Sequence, residues 1–207
     1  AKNGVLQSFS DQDDAGLTEA YLSIELTRQP HTDLKKIKKS IEVLLFQLIY
    51  AVEDWHVMRG AMRTARSFLA EAKWTVAPDD VPDVQVLPEM LDWLDEFYTF
   101  MGVAQWTRSD PKKPWELEKT NGLLRDGVAD SAQYQERLDA MVAELSPSLL
   151  FHIMKTDILS PLHRPAYLDF ITVQWKRDGQ IYLAGFLGLF TSDAYDSDPN
   201  RIPFLPA

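Results

Sequence analysis

The dipeptide Asp178-Gly179 constrains the fold of this chain more than any other feature. It lies in "RDGQ", between the β-rich runs "YLDFITVQWK" (Tyr167 to Lys176) and "IYLAGFLGLF" (Ile181 to Phe190). Asp-Gly between two such runs is a strong hairpin signal, because both turn positions tolerate the positive φ that a tight two-residue loop demands. Gly185 and Gly188 form a G-x-x-G spacing inside the second run, not the G-x-G-x-x-G that opens a nucleotide-binding helix. In a strand, glycines so placed mark a bulge or a close approach of backbone.

Upstream, apolar spacing gives the other elements. Leu22, Ile24 and Leu26 alternate with Tyr21, Ser23 and Glu25, a half-buried strand pattern that Pro30 ends. From Asp33 a long helix puts Leu34, Ile37, Ile41, Leu44, Leu45, Leu48 and Val52 on one face, with Lys35, Lys36, Lys38 and Lys39 opposite. A second helix carries Trp55, Met58, Met62, Ala65, Phe68 and Leu69 as its stripe, weakened in the middle by Gly60. "VAPDDVPDVQVLP", Val76 to Pro88, reads as a connector, and Pro88 suits the first turn of a helix reaching about Tyr98. Strands are expected from Phe97 to Trp106, Trp115 to Asn121 and Ser148 to Thr156, with a helix from Ser131 to Leu145 between the last two.

The fold class expected is α+β: an N-terminal αα arm followed by an antiparallel sheet with helices on one side. At 207 residues, 45% hydrophobic and 25% charged, the chain has the composition of a folded globular protein. A net charge of −10 repels a phosphate backbone, so nucleic acid is not an expected partner. The longest apolar run, Val43 to Val52, holds Gln47 and falls short of the roughly 20 residues that span a bilayer, so no membrane partner is expected. The absence of cysteine excludes disulfides, thiolate metal sites and a cysteine nucleophile, and a cytoplasmic setting is expected. The opening at Ala1 and the apolar, proline-bearing "RIPFLPA" at the other end read as an excised segment of a longer chain.

No catalytic constellation can be assembled. His31, His56, His152 and His163 show no paired metal-ligand spacing, and neither G-x-S-x-G nor a phosphate-binding glycine loop occurs. The densest polar cluster beside a strand is Lys155, His163, Arg164 and Tyr167, near Asp169. An arginine fork beside a lysine suits an anion or carboxylate, so these four are the candidate contacts for an effector; tying down neighbouring carbonyls is the structural alternative. A small hydrolase would have to use His152 or His163.

Four segments then resemble one family in the same order: "AVEDWHVMR" (Ala51 to Arg59), "DWLDEFYTFMG" (Asp92 to Gly102), "HRPAYLDFITV" (His163 to Val173) and "FLGLFTSDAY" continuing to "RIPFL" (Phe186 to Leu205). They resemble stretches of the large NAD-specific glutamate dehydrogenases of bacteria, in the long N-terminal region that carries ACT-like modules and a PAS-type module. The resemblance implies a non-catalytic regulatory or assembly segment of an enzyme that deaminates L-glutamate oxidatively to 2-oxoglutarate and ammonia. It implies residues 1–30 as an acidic lead and remnant strand of an ACT-like module, 31–83 as a helical connector, and 84–207 as a PAS-type α+β domain with a C-terminal tail. The family's catalytic and NAD-contacting motifs have no counterpart in this chain, so no catalytic, cofactor or metal residue is assigned and NAD belongs to the parent enzyme. Expected partners are the parent's other domains and subunits and a small-molecule effector. The rival is a stand-alone PAS-like sensor or interaction module unrelated to glutamate metabolism.

Overall fold

In a computed structural model, the structure describes residues 23, 25, 27–28, 30–71, 86–146 and 150–196. The strand expected around Tyr21 falls mostly outside these residues, and Ser23 and Glu25 within it carry no regular structure. Most of the expected connector and the "RIPFL" segment also lie outside them. The chain divides into two units, residues 1–37 and 38–207; the first helix begins in the former, and every strand belongs to the latter.

Helix α1 (His31–Glu53) and helix α2 (Trp55–Glu71) follow one another with only Asp54 between them. The amide of Asp54 donates to the Tyr50 carbonyl and that of Met58 to the Asp54 carbonyl, so helical bonding runs through the joint. The two helices of the expected αα arm are therefore joined by a single residue that stays within the helical hydrogen bonding. Helix α3 (Leu87–Phe97) starts with proline in its first turn and leads directly into β1 (Tyr98–Arg108). Then come β2 (Glu116–Gly122), α4 (Ser131–Ala143), β3 (Phe151–Leu159), β4 (Tyr167–Arg177), β5 (Gln180–Phe190) and the short α5 (Ser192–Asp196).

The five strands form one antiparallel sheet in the order β2-β1-β5-β4-β3. The β4–β5 hairpin closes through Asp178 (φ 50°) and Gly179 (φ 80°), the left-handed pair that the sequence signals. Gly188 is a close-approach glycine: a Cβ there would collide with the Thr99 carbonyl oxygen, beside the bulge between Phe100 and Gly102.

Strand alternation splits the core into two layers. Tyr98, Phe100, Val103, Ile171, Val173, Ala184 and Phe186 on one face join Met58, Met62, Ala65 and Leu69 of α2 and Met90, Leu91 and Leu94 of α3. Met101, Ala104, Trp106, Leu168, Phe170, Leu183 and Leu187 on the other join Tyr134, Leu138 and Val142 of α4. Helices thus cover both faces, correcting the expectation of one side. The physical reason is that β1, β4 and β5 are buried almost throughout, so both pleat faces are apolar and each needs a cover.

The apolar stripe of α1 has a different fate. Gln47 and Ala51 are buried, but Leu44, Leu45, Leu48, Ile49 and Val52 are all exposed. What attaches this end of the helix is polar: the Gln47 amide donates to the Ala129 carbonyl (3.1 Å), and the buried Asp54 carboxylate accepts from the Gly122 N–H (2.8 Å). Arg125 adds pairs to Asp54 (3.6 Å) and Glu53 (3.8 Å) and lies over the Tyr50 ring.

Candidate functional site

The four residues singled out for an anion each take different contacts. Lys155, on β3, donates to the Asp169 carboxylate of β4 at 2.7 Å and to the Tyr167 carbonyl at 3.1 Å. Tyr167 itself opens β4 with its ring exposed. Arg164 donates to the Phe190 carbonyl (3.0 Å) and lies over the Tyr195 ring. His163 takes a positive φ of 66° in the β3–β4 loop.

Behind Lys155 lies a buried polar knot. The Tyr98 hydroxyl donates to the carbonyls of Asp169 (2.7 Å) and Phe186 (3.1 Å), stitching β4 and β5 to the start of β1. Burial, helped by the charge of Asp169, pushes the Tyr98 phenol well above its ordinary pKa and favours the protonated donor. One buried oxygen of the Asp169 carboxylate has no hydrogen-bond partner among the described residues, and Lys155 supplies the countercharge. Lys155 thus ties β3 to β4, while its side chain stays more than half exposed.

His163 instead lines a second kind of site. A cleft of 650 Å³ runs between the α1–α2 joint (Leu48, Ala51, Val52, Trp55, His56), the start of β1 (Thr99, Phe100, Met101) and the β3–β4 loop (Leu162, His163). Its walls are mainly apolar and continuous with the exposed stripe of α1. His56 contacts Trp55 edge-on at 4.7 Å. The two histidines in this cleft have no third ligand: among the described residues, no three His, Asp or Glu side chains group as a metal site. Sequence reasoning missed this cleft because its walls come from segments about fifty residues apart. Its only local signal was an apolar helix stripe, and periodicity cannot tell whether such a stripe is buried or exposed.

The fold and the cleft define the class: an α+β unit that offers an apolar helix face, with no assembled catalytic group among the described residues. No family model matches the chain. It is similar to the NAD-specific glutamate dehydrogenase of Pseudomonas aeruginosa, at 30% identity over 199 residues, covering 90% of this chain and 12% of that protein. It is also similar to the NAD-specific glutamate dehydrogenase of Halomonas elongata, at 27% identity over 198 residues with the same coverage, 90% and 12%. The chain therefore spans about an eighth of the length of these curated relatives. No described helix is long and apolar enough to cross a membrane.

Proposed function

We propose that this chain is a non-catalytic regulatory and assembly segment of an NAD-dependent glutamate dehydrogenase. The complete enzyme oxidatively deaminates L-glutamate to 2-oxoglutarate and ammonia, with NAD as hydride acceptor, and this segment alone is inactive. Support comes from likeness to those dehydrogenases along 90% of the chain and from the lack of any recognisable catalytic motif. The antiparallel order β2-β1-β5-β4-β3, with α4 inserted between β2 and β3, supports reading 84–207 as the PAS-type unit. Residues 1–30 are then the end of an ACT-like module and 31–83 the connector, whose α2 is seated on the sheet.

One observation carries the assembly role: the exposed stripe of Leu44, Leu45, Leu48, Ile49 and Val52 beside an apolar cleft. Covering such half-exposed side chains gains about 1 kcal/mol each, enough together to hold two domains or subunits in register. The partner is another part of the same enzyme. His163 lines the cleft, and it and the neighbouring Arg164 are the residues that meet the partner's polar groups or a carboxylate effector. The test is Leu48→Glu with Val52→Glu. In the 207-residue chain the melting temperature should stay within about 2 °C, because both side chains are already exposed. In the complete dehydrogenase the pair should shift sedimentation to smaller species. An unchanged assembly would overturn the role.

A further inference from the structure

Toward the other end of β1 lies a separate cleft of 530 Å³, lined by Thr64 and Phe68 of α2 and by strand residues that include Gln105, Thr107, Glu118, Arg177 and Tyr182; the Arg177 guanidinium lies over the Phe68 ring, 5.0 Å from its centroid. One wall is a pile of rings. Phe68 stacks on Trp175 at 5.6 Å between centroids and 15° between planes, and Trp175 stacks on Tyr182 at 5.6 Å and 9°. Trp175 and Tyr182 are cross-strand partners, and the next residue in that row, on β1, is Thr107. The pile therefore ends at Tyr182, where the neighbouring strand offers a small side chain instead of a fourth ring. The Thr107 hydroxyl donates to one Glu118 oxygen at 2.8 Å, fixing the carboxylate beside that position. No cation pairs with Glu118 among the described residues, and the buried indole N–H of Trp175 has no partner there either.

We infer that this cleft binds a small molecule that joins a flat aromatic ring to an amino group, with the ring continuing the pile on Tyr182 and the amine donating to Glu118. A ring face recognises another by offset stacking, and the Glu118 carboxylate accepts from an N–H donor, with Arg177 elsewhere in the lining. Gln105 and Gln180 can each give and take a hydrogen bond at the ring edge. A purine nucleoside and an aromatic amino acid both carry this chemistry. The site shares no residue with the α1 face, and it stands or falls independently of the dehydrogenase reading.

The experiment titrates the 207-residue chain with adenosine and, separately, with L-phenylalanine, following both heat and tryptophan fluorescence. Saturable binding with a dissociation constant on the order of 1 mM is expected for at least one of them, and which one binds names the source. Glu118→Gln, on an exposed stretch of β2, should weaken that binding about tenfold or more and leave the thermal melt unchanged. Trp175→Phe should keep the heat and reduce the fluorescence change, to which Trp106, also in the lining, contributes the rest. No saturable heat from either ligand up to about 10 mM, or equal affinity in Glu118→Gln, overturns the site.

Discussion

Helices α1 and α2 are neighbours in sequence, separated by one residue, and both carry an apolar stripe at helical spacing. Met58 and Met62 of α2 are 0% and 1% exposed, whereas Leu48 and Val52 of α1 are 46% and 65% exposed. The same periodicity thus ends in two fates, and what differs is the surface presented to each stripe. α2 lies over an apolar sheet face and is clamped to α3, while α1 meets the loop after β2 through Gln47 and Asp54. An amphipathic pattern states that a helix has a face to cover; whether this chain covers it is decided elsewhere.

Alanine substitution breaks the comparison most sharply. Met62→Ala should cost about 3 kcal/mol in chemical denaturation, because its site is closed on all sides. Leu48→Ala should change stability by less than about 0.5 kcal/mol in the same chain. Equal losses would mean that the α1 face is already used within this chain.

The clamp between α2 and α3 comes next. Asp95 receives Arg59 through Nε at 2.7 Å and Nη2 at 2.6 Å, and Arg63 through Nη2 at 3.1 Å; Arg66 grips Asp92 in the same forked way. Burial alone would raise the Asp95 pKa, but the hydrogen bonds and charges of Arg59 and Arg63 outweigh it and hold the carboxyl below its ordinary value. A folded-state pKa lowered in this way gives stability that is complete above the unfolded carboxylate pKa of about 4 and is lost as pH falls through the lowered value. Asp95→Asn should therefore cost about 2 kcal/mol at pH 7, and its gap from the parent chain should narrow in denaturation curves taken below pH of about 4.

Asp54→Ala tests the polar attachment of α1. It leaves the Gly122 N–H without its acceptor and Arg125 without a buried partner, and should cost about 1–2 kcal/mol. The smallest effect has the opposite sign. Gly60 lies inside α2 with open space where a Cβ would stand, so Gly60→Ala should stabilise by about 0.5–1 kcal/mol in the same assay.

Much of the sheet was legible because its signals are local. Asp178-Gly179 set the β4–β5 register, and that register alone pairs Trp175 with Tyr182. Gly188 announced a close contact, although its partner, Thr99, lies far away in sequence. The second helical cover was not legible: whether a strand buries one face or both is a property of its neighbours, and only the near-continuous apolar run of β5 hinted at it. The polar cluster around Lys155 was found as a cluster, but the carboxylate that occupies its ammonium is a cross-strand partner, and register decides such pairs. The α1 cleft and the Thr107–Glu118 corner join segments that no local pattern relates.

Covering of the exposed α1 face in the complete enzyme is the centre of the proposed assembly role. Hydroxyl-radical footprinting read at Leu44, Leu48 and Val52 tests it most directly, comparing the 207-residue chain with the complete dehydrogenase. Labelling at these three positions should fall several-fold in the complete enzyme while exposed Tyr167 serves as a reference. Equal labelling in both would contradict the assembly role and leave α1 a solvent-facing helix.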